Sequence, residues 1–289
     1  MSLSATWRGG HRASRAVSPC MRSKVDVMAS RLRWMIAPFL ACAVAGWASS
    51  EGACAKDRQP ESGIPLQTIL ELETTARLLA VLLDSGRNVI NEHQVRIDES
   101  EKIEKGFTPE MFERQLLDVF RSRSGVDLQE LGTARIPVRA KRLLKELTLV
   151  STQVVEQAQS EVNRRGGGIK EFIPAIFGAQ VATRFTERTQ VRLKQTALAP
   201  RNPLNAPDAV ERTALEGFAD PLYPREKVIS EVTVKSGSLR LMFPLYTTRK
   251  CLDCHGEPKG ELDRTGYPRE GLRLGQNAGA ISVVIPIRP

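Results

Sequence analysis

Two cysteines and a histidine stand within five residues of one another in the motif Cys251-Leu252-Asp253-Cys254-His255. Two thiols at this spacing can form a disulfide, supply half of a zinc site or act as a thioredoxin-like redox pair. With the adjoining histidine they can also attach haem c, because the thiols add to the porphyrin vinyl groups and the imidazole ligates the iron. The compartment and the other ligands in the chain decide between these uses.

The N-terminal segment predicts export. From Met28 onward, arginines precede an apolar run at residues 34–48, and small residues end in Ala53-Cys54-Ala55. This order is typical of a secretory signal peptide, with cleavage expected before Lys56. This apolar run of about 15 residues is shorter than the roughly 20 that a membrane-spanning helix needs. An anchor formed by the uncleaved segment is therefore only the alternative. We therefore assign residues 1–55 to an N-terminal extension and signal peptide, and we predict a periplasmic protein with no membrane span in the mature chain.

Cleavage before Lys56 would leave very few side chains that can bind a metal. Three of the five cysteines lie in the cleaved segment, so the mature chain keeps two thiols, and its only histidines are His93 and His255. A structural zinc would be short of ligands, and the flanking sequence lacks a parallel βαβ pattern around a redox pair. We predict one covalent haem c, attached through Cys251 and Cys254, with His255 as the proximal iron ligand.

Charge and motifs exclude several classes of function. The formal net charge is +9, but seven of the 42 Lys and Arg residues lie in residues 1–55 against two of the 33 acidic residues. The remaining imbalance is too small for a nucleic-acid footprint. The sequence also has no GxSxG, P-loop, HExxH or nucleotide fingerprint, so we do not expect an enzyme.

The elements that position the motif begin with long helices. Residues 65–97 carry apolar side chains at three- and four-residue spacing, which predicts a helix with His93 near its end and a kink at Ser85-Gly86. Residues 107–128 and 172–193 are identical at eight equivalent positions, and each predicts a helix opened by Phe-x-Pro and followed by a short strand. Residues 138–163 predict a further helix.

The C-terminal third changes to the alternating period of strands. Residues 227–246 predict an antiparallel hairpin that leads into the motif, and residues 279–287 predict a third strand. Asp208 is placed to cap a helix over residues 209–218. The expected fold class is α+β, with long N-terminal helices beside a small antiparallel sheet and the CxxCH loop near the C-terminus. We divide the mature chain into a helical region at 56–137 and a haem-binding domain at 138–289.

Several segments resemble a known family. The segments FIPAIFGAQVATRF, RNPLNAPDAVE, FPLYTTRKCLDCHG and GAISVVIPI are similar, in this order, to bacterial exported haem c domains with a PAS-like fold. Such domains occur alone or as the sensing part of histidine kinases and chemoreceptors. The resemblance implies a PAS-like sheet and a periplasmic redox or small-ligand sensor, or a small electron carrier. Cys251, Cys254 and His255 carry over as the attachment thiols and proximal ligand.

The second axial ligand of the iron is left open. Some members of that family use a cysteine on the N-terminal helix, which the mature chain lacks, and His93 lies on a comparable helix. His93 as a solvated side chain, Met111 or Met242 as the ligand, and a vacant position that would favour a diatomic gas are the alternatives. Arg201 is a candidate contact for a haem propionate, because guanidinium binds carboxylates bidentately, or else a structural residue of its loop.

The predicted function follows from this ligand set. We rank a redox or gas sensor first, a soluble electron carrier second and a haem peroxidase third. Because no signalling segment follows Pro289, a sensor would pass its signal to a separate periplasmic protein, whereas a carrier would meet a redox partner.

Overall fold

The computed structural model describes residues 63–99, 101, 106–165, 171–233 and 236–288. The predicted signal peptide and its cleavage site before Lys56 lie outside these residues. The helices are α1 (Leu66–Asp98), α2 (Pro109–Ser124), α3 (Val138–Gln157), α4 (Gln159–Val162), α5 (Pro174–Thr189), α6 (Ala209–Ala219) and α7 (Leu252–His255). The strands are β1 (Arg192–Thr196), β2 (Ile229–Thr233), β3 (Ser238–Tyr246) and β4 (Asn277–Pro286).

The four strands form one antiparallel sheet in the order β1-β4-β3-β2. The hairpin β2–β3 and the third predicted strand, β4, are both confirmed, as is the α+β class. In the long β3–β4 pairing, Leu241 lies opposite Val283 and Phe243 lies opposite Ile281. The two central strands therefore hold the two ends of the segment that carries the CxxCH motif. The PAS-like character of the sheet stays a prediction.

Helix α1 runs for 33 residues without a break at Ser85-Gly86, and a kink of its axis there stays a prediction. Gly86 meets a packing need, because a Cβ there would lie 2.8 Å from Cε1 of Phe177. The aromatic ring needs the space that the missing side chain leaves.

No helix in the described residues is long and apolar enough to cross a membrane.

The two similar sequence segments fold into similar helices. Helices α2 and α5 each have 16 residues, begin with proline in the first turn and end at a left-handed residue, Gly125 or Gln190. The equivalent rings of Phe112 and Phe177 pack edge to face, with centroids 5.4 Å apart. The strand predicted after the second segment is β1. The strand predicted after the first is wrong, since residues 126–134 form turns and no described strand pairs with them.

The hydrophobic core lies between the long helices and one face of the sheet. It combines buried residues of α1, α2, α3 and α5 with Leu241, Ile281 and Val283 of the central strands. Helix α6 covers the other face through a smaller cluster that includes Phe218 and Met242. Its N-terminus has the predicted cap, because the Asp208 side chain accepts a hydrogen bond from the Glu211 amide. Residues on both sides of the predicted domain boundary at 137 share the main core, and the boundary stays a prediction.

Candidate functional site

The CxxCH motif lies in the connection between β3 and β4, at the end of the sheet. A 3₁₀ turn over Arg249–Cys251 leads into α7, which ends at His255. Cys251 and Cys254 are free thiols and half-buried. Side chains three residues apart lie on the same face of a helical turn, so both sulfurs are available to one bound group.

The imidazole of His255 is oriented by a carboxylate. Its Nδ1 lies 2.8 Å from Oε2 of Glu270. A carboxylate accepts hydrogen bonds, so Nδ1 carries a proton and donates it, and in the neutral imidazole Nε2 is the nitrogen with a lone pair for a metal. The side chain of His255 is 40% exposed, which leaves the ring within reach of a bound group. This is the arrangement of a histidine ligand whose other nitrogen is held by an acidic partner.

Arg201 binds the carboxylate of Glu270. Its Nε lies 2.6 Å from Glu270 Oε1 and its Nη2 lies 3.0 Å from Glu270 Oε2, which is a bidentate contact. Nη2 also donates to the carbonyl oxygen of Cys254 at 2.9 Å, and Nη1 donates to Asp263 Oδ2 at 2.6 Å. Arg201 therefore connects two acidic side chains to the turn that carries the motif, residues 249–255, called the CxxCH turn below. Its contact with a propionate stays a prediction.

Asp263 is the buried anchor of this group. Burial by itself raises the pKa of its carboxyl, but hydrogen bonds from Thr265 and Arg201 outweigh burial and hold that pKa well below its usual range. Similarly, burial raises the pKa of Glu270, and hydrogen bonds from Arg201 and His255 lower it overall. Sequence analysis missed both residues because they stand in a polar loop with no motif, more than 60 residues from Arg201.

The C-terminal half of α1 lies beside the CxxCH turn. Lys250 pairs with Glu92, and Nη1 of Arg264 lies 2.5 Å from Oδ2 of Asp98. Burial raises the pKa of the Cys254 thiol and outweighs the lowering effect of the positive charge of Arg264. Two ion pairs thus connect this helix to the residue before the motif and to the loop that follows it.

His93 occupies the part of α1 between these two ion pairs. Its Nε2 donates to Gln115 Oε1 at 2.7 Å, and its ring lies 5.5 Å from the ring of Phe107. His93 and Arg264 border the same open, mostly charged depression of the surface.

The two methionines considered as alternatives to His93 have other surroundings. Met242 is 1% exposed and packs in the cluster under α6, and Met111 packs partly buried against the main core. Of the three candidates, His93 is the one on the helix that pairs with Lys250, the residue before the motif. Whether His93 binds iron stays a prediction.

The family model described as Tll0287-like matches residues 65–286 of the chain. Among solved structures, a match is the crystal structure of the cyanobacterial heme-protein Tll0287, with 20% sequence identity and a TM-score of 0.33. The match covers 52% of this chain and 96% of that one. Comparison with curated proteins gave no match.

Proposed function

Because the chain belongs to the Tll0287-like family, we propose that it binds one haem covalently through Cys251 and Cys254, with His255 as the proximal iron ligand. The observation that carries the proposal is the hydrogen bond between Nδ1 of His255 and Glu270, which leaves Nε2 as the nitrogen that can bind a metal. The two free thiols lie in the same short segment. The family's solved namesake is titled a heme-protein, which supports the same cofactor.

The side chains present fit an iron porphyrin. Each thiol can add its sulfur to one carbon of a vinyl group and its hydrogen to the other, so attachment through Cys251 and Cys254 needs no oxidant. His255 follows Cys254 directly, on the same short turn. When bound, haem supplies one-electron redox chemistry and an iron that can take small ligands. The residues of this chain orient one axial imidazole and hold the attachment turn against α1.

His93 is the proposed second axial ligand. It lies on the helix with which Lys250 and Arg264 form ion pairs, and it borders the same surface depression as Arg264. In the structure its Nε2 is engaged with Gln115, so ligation through that nitrogen requires the Gln115 hydrogen bond to break. If that bond persisted and no methionine bound the iron, the second axial position would be open to a diatomic ligand.

We place a sensor first among the proposed roles. Lys250 of the CxxCH turn and Arg264 of the loop that follows it both pair with α1, so a change at the iron has a route to the longest helix of the fold. An electron carrier is the second candidate, favoured by the 40% exposure of the His255 side chain. Because haem attachment takes place outside the cytoplasm, the proposed location is the periplasm and the proposed partner is a separate protein there. The fold is proposed to be PAS-like.

The test is the mass of the protein. The full chain, produced together with the haem c maturation machinery, should carry the mass of one haem that denaturation does not remove. The double variant Cys251→Ala, Cys254→Ala should be exported without that mass. A wild-type protein with an unmodified mass and free thiols, or with bound zinc, would contradict the proposal.

A further inference from the structure

The hydrogen bond between Glu270 and His255 is not needed for covalent attachment of the haem, so it calls for another role. The carboxylate oxygen of Glu270 lies 2.8 Å from Nδ1 of His255, within the range of charge-assisted hydrogen bonds. Such a bond is about twice as strong as one to a neutral acceptor, and it draws the Nδ1 proton toward the carboxylate. The ring then becomes more basic at Nε2 and a better ligand for ferric than for ferrous iron.

We propose that Glu270 is a positioning residue that fixes the His255 ring and favours the oxidised state of the iron, and that Arg201 limits the size of this effect. The inference rests on the proposed haem attachment and goes beyond it, since it assigns the control of the reduction equilibrium to two residues outside the CxxCH motif.

The geometry of Arg201 explains why Glu270 cannot turn away from His255. Both carboxylate oxygens of Glu270 accept hydrogen bonds from the guanidinium. That guanidinium is fixed in turn by Asp263, by the Cys254 carbonyl and by the ring of Tyr267, whose centroid lies 5.5 Å from Cζ. Arg201 therefore holds Glu270 in the orientation in which its Oε2 contacts His255.

The same contacts set opposing electrostatic effects. Oε2 of Glu270 accepts from both His255 Nδ1 and Arg201 Nη2. The positive guanidinium offsets part of the carboxylate charge that the imidazole senses. Removing the carboxylate charge should therefore favour reduction, whereas weakening the Arg201 contact should favour oxidation.

The experiment is a redox titration of the haem-loaded full chain by spectroelectrochemistry. Glu270→Gln keeps the shape and a hydrogen-bond acceptor but removes the charge, so we expect it to favour the ferrous form about tenfold, which is 59 mV for a one-electron couple. Glu261→Gln is the matched control, because Glu261 is an exposed carboxylate of the same loop, 3.8 Å from Arg269. We expect the control to stay within about twofold of wild type.

We expect Arg201→Lys to shift the reduction potential in the opposite direction to Glu270→Gln. Lysine keeps a positive charge, but one ammonium cannot reproduce the bidentate fork, so Glu270 becomes less neutralised and the potential should fall. A general loosening of the loop would move both variants in the same direction. Where Glu270→Gln gives no folded haem protein, the Arg201→Lys measurement decides: a lower potential supports the proposal, and an unchanged or higher one overturns it.

The outcomes separate this inference from the proposed function. A wild-type protein without haem overturns haem attachment and this inference with it. A haem-loaded protein in which Glu270→Gln shifts the reduction equilibrium no more than Glu261→Gln does overturns the inference alone.

Discussion

At the residue scale, the chemistry of the site divides into a part that is local in sequence and a part that is not. Cys251, Cys254 and His255 stand together in a motif, so their association needs no knowledge of the fold. Glu270 and Asp263 reach the site through a loop, and Arg201 arrives from the segment between β1 and α6. Spacing carries no signal for such contacts, because a polar loop with balanced charges has the same pattern whether its side chains converge or not.

His93 is the residue on which the sixth position of the iron depends. If His93 is the distal ligand, His93→Ala should leave the haem attached, convert a low-spin spectrum to a high-spin one and open ferrous iron to carbon monoxide, because a strong axial ligand is lost. Absorption spectra of both oxidation states, with and without carbon monoxide, measure this.

Gln115 and Met111 complete that test. Gln115→Leu frees Nε2 of His93, so it should leave the low-spin form unchanged or increase its share. Met111→Ala is the control on the same helix and should not change the spectrum. Identical spectra for wild type and His93→Ala would remove His93 as a ligand.

At the element scale, local rules predicted the helices and strands well but failed where neighbours decide. Proline in the first turn of α2 and α5 and the Asp208 cap of α6 act within a few residues, and each was predictable. The effect of Gly86 was not, because glycine is expected to weaken a helix and only the approach of the Phe177 ring reveals its role. The missing strand at residues 126–134 has the same cause, since a strand forms only beside a partner.

Gly86→Ala should destabilise the protein, although alanine is the better helix former. The added Cβ would lie 2.8 Å from Cε1 of Phe177, whose ring is fully buried and would have to shift within a packed core. Overpacking of this kind costs about 1–3 kcal/mol of unfolding free energy.

Denaturant unfolding of the two glycine variants provides the measurement. Gly132→Ala is the matched control, because a Cβ at Gly132 would have no neighbour within 4 Å, and it should stay within about 0.5 kcal/mol of wild type. Equal stability of the two variants would mean that the Phe177 ring shifts without cost.

At the scale of the whole molecule, the question is whether the state of the iron reaches the rest of the fold. The segment that carries the CxxCH turn is joined to the central strands at both ends, and it is joined to α1 by Lys250–Glu92 and Arg264–Asp98. Helix α1 in turn packs on α2, α3, α5 and both central strands. A sensor needs such a connection, because a ligand shifts a conformation only through contacts that differ between the two states. A carrier works best when nothing moves on reduction.

Hydrogen exchange distinguishes these two roles. For a sensor, amides in the C-terminal half of α1, near Glu92 and Asp98, should exchange at different rates in the ferric and ferrous protein, because reduction changes the charge that the adjoining turn carries. The double variant Glu92→Gln, Asp98→Asn removes both ion pairs and should abolish most of that difference while the haem stays attached. Glu71→Gln, at the opposite end of the same helix, is the control and should preserve it. Equal exchange along α1 in both oxidation states of the wild type would favour the electron carrier, since the ion pairs would then hold the turn in place without transmitting its state.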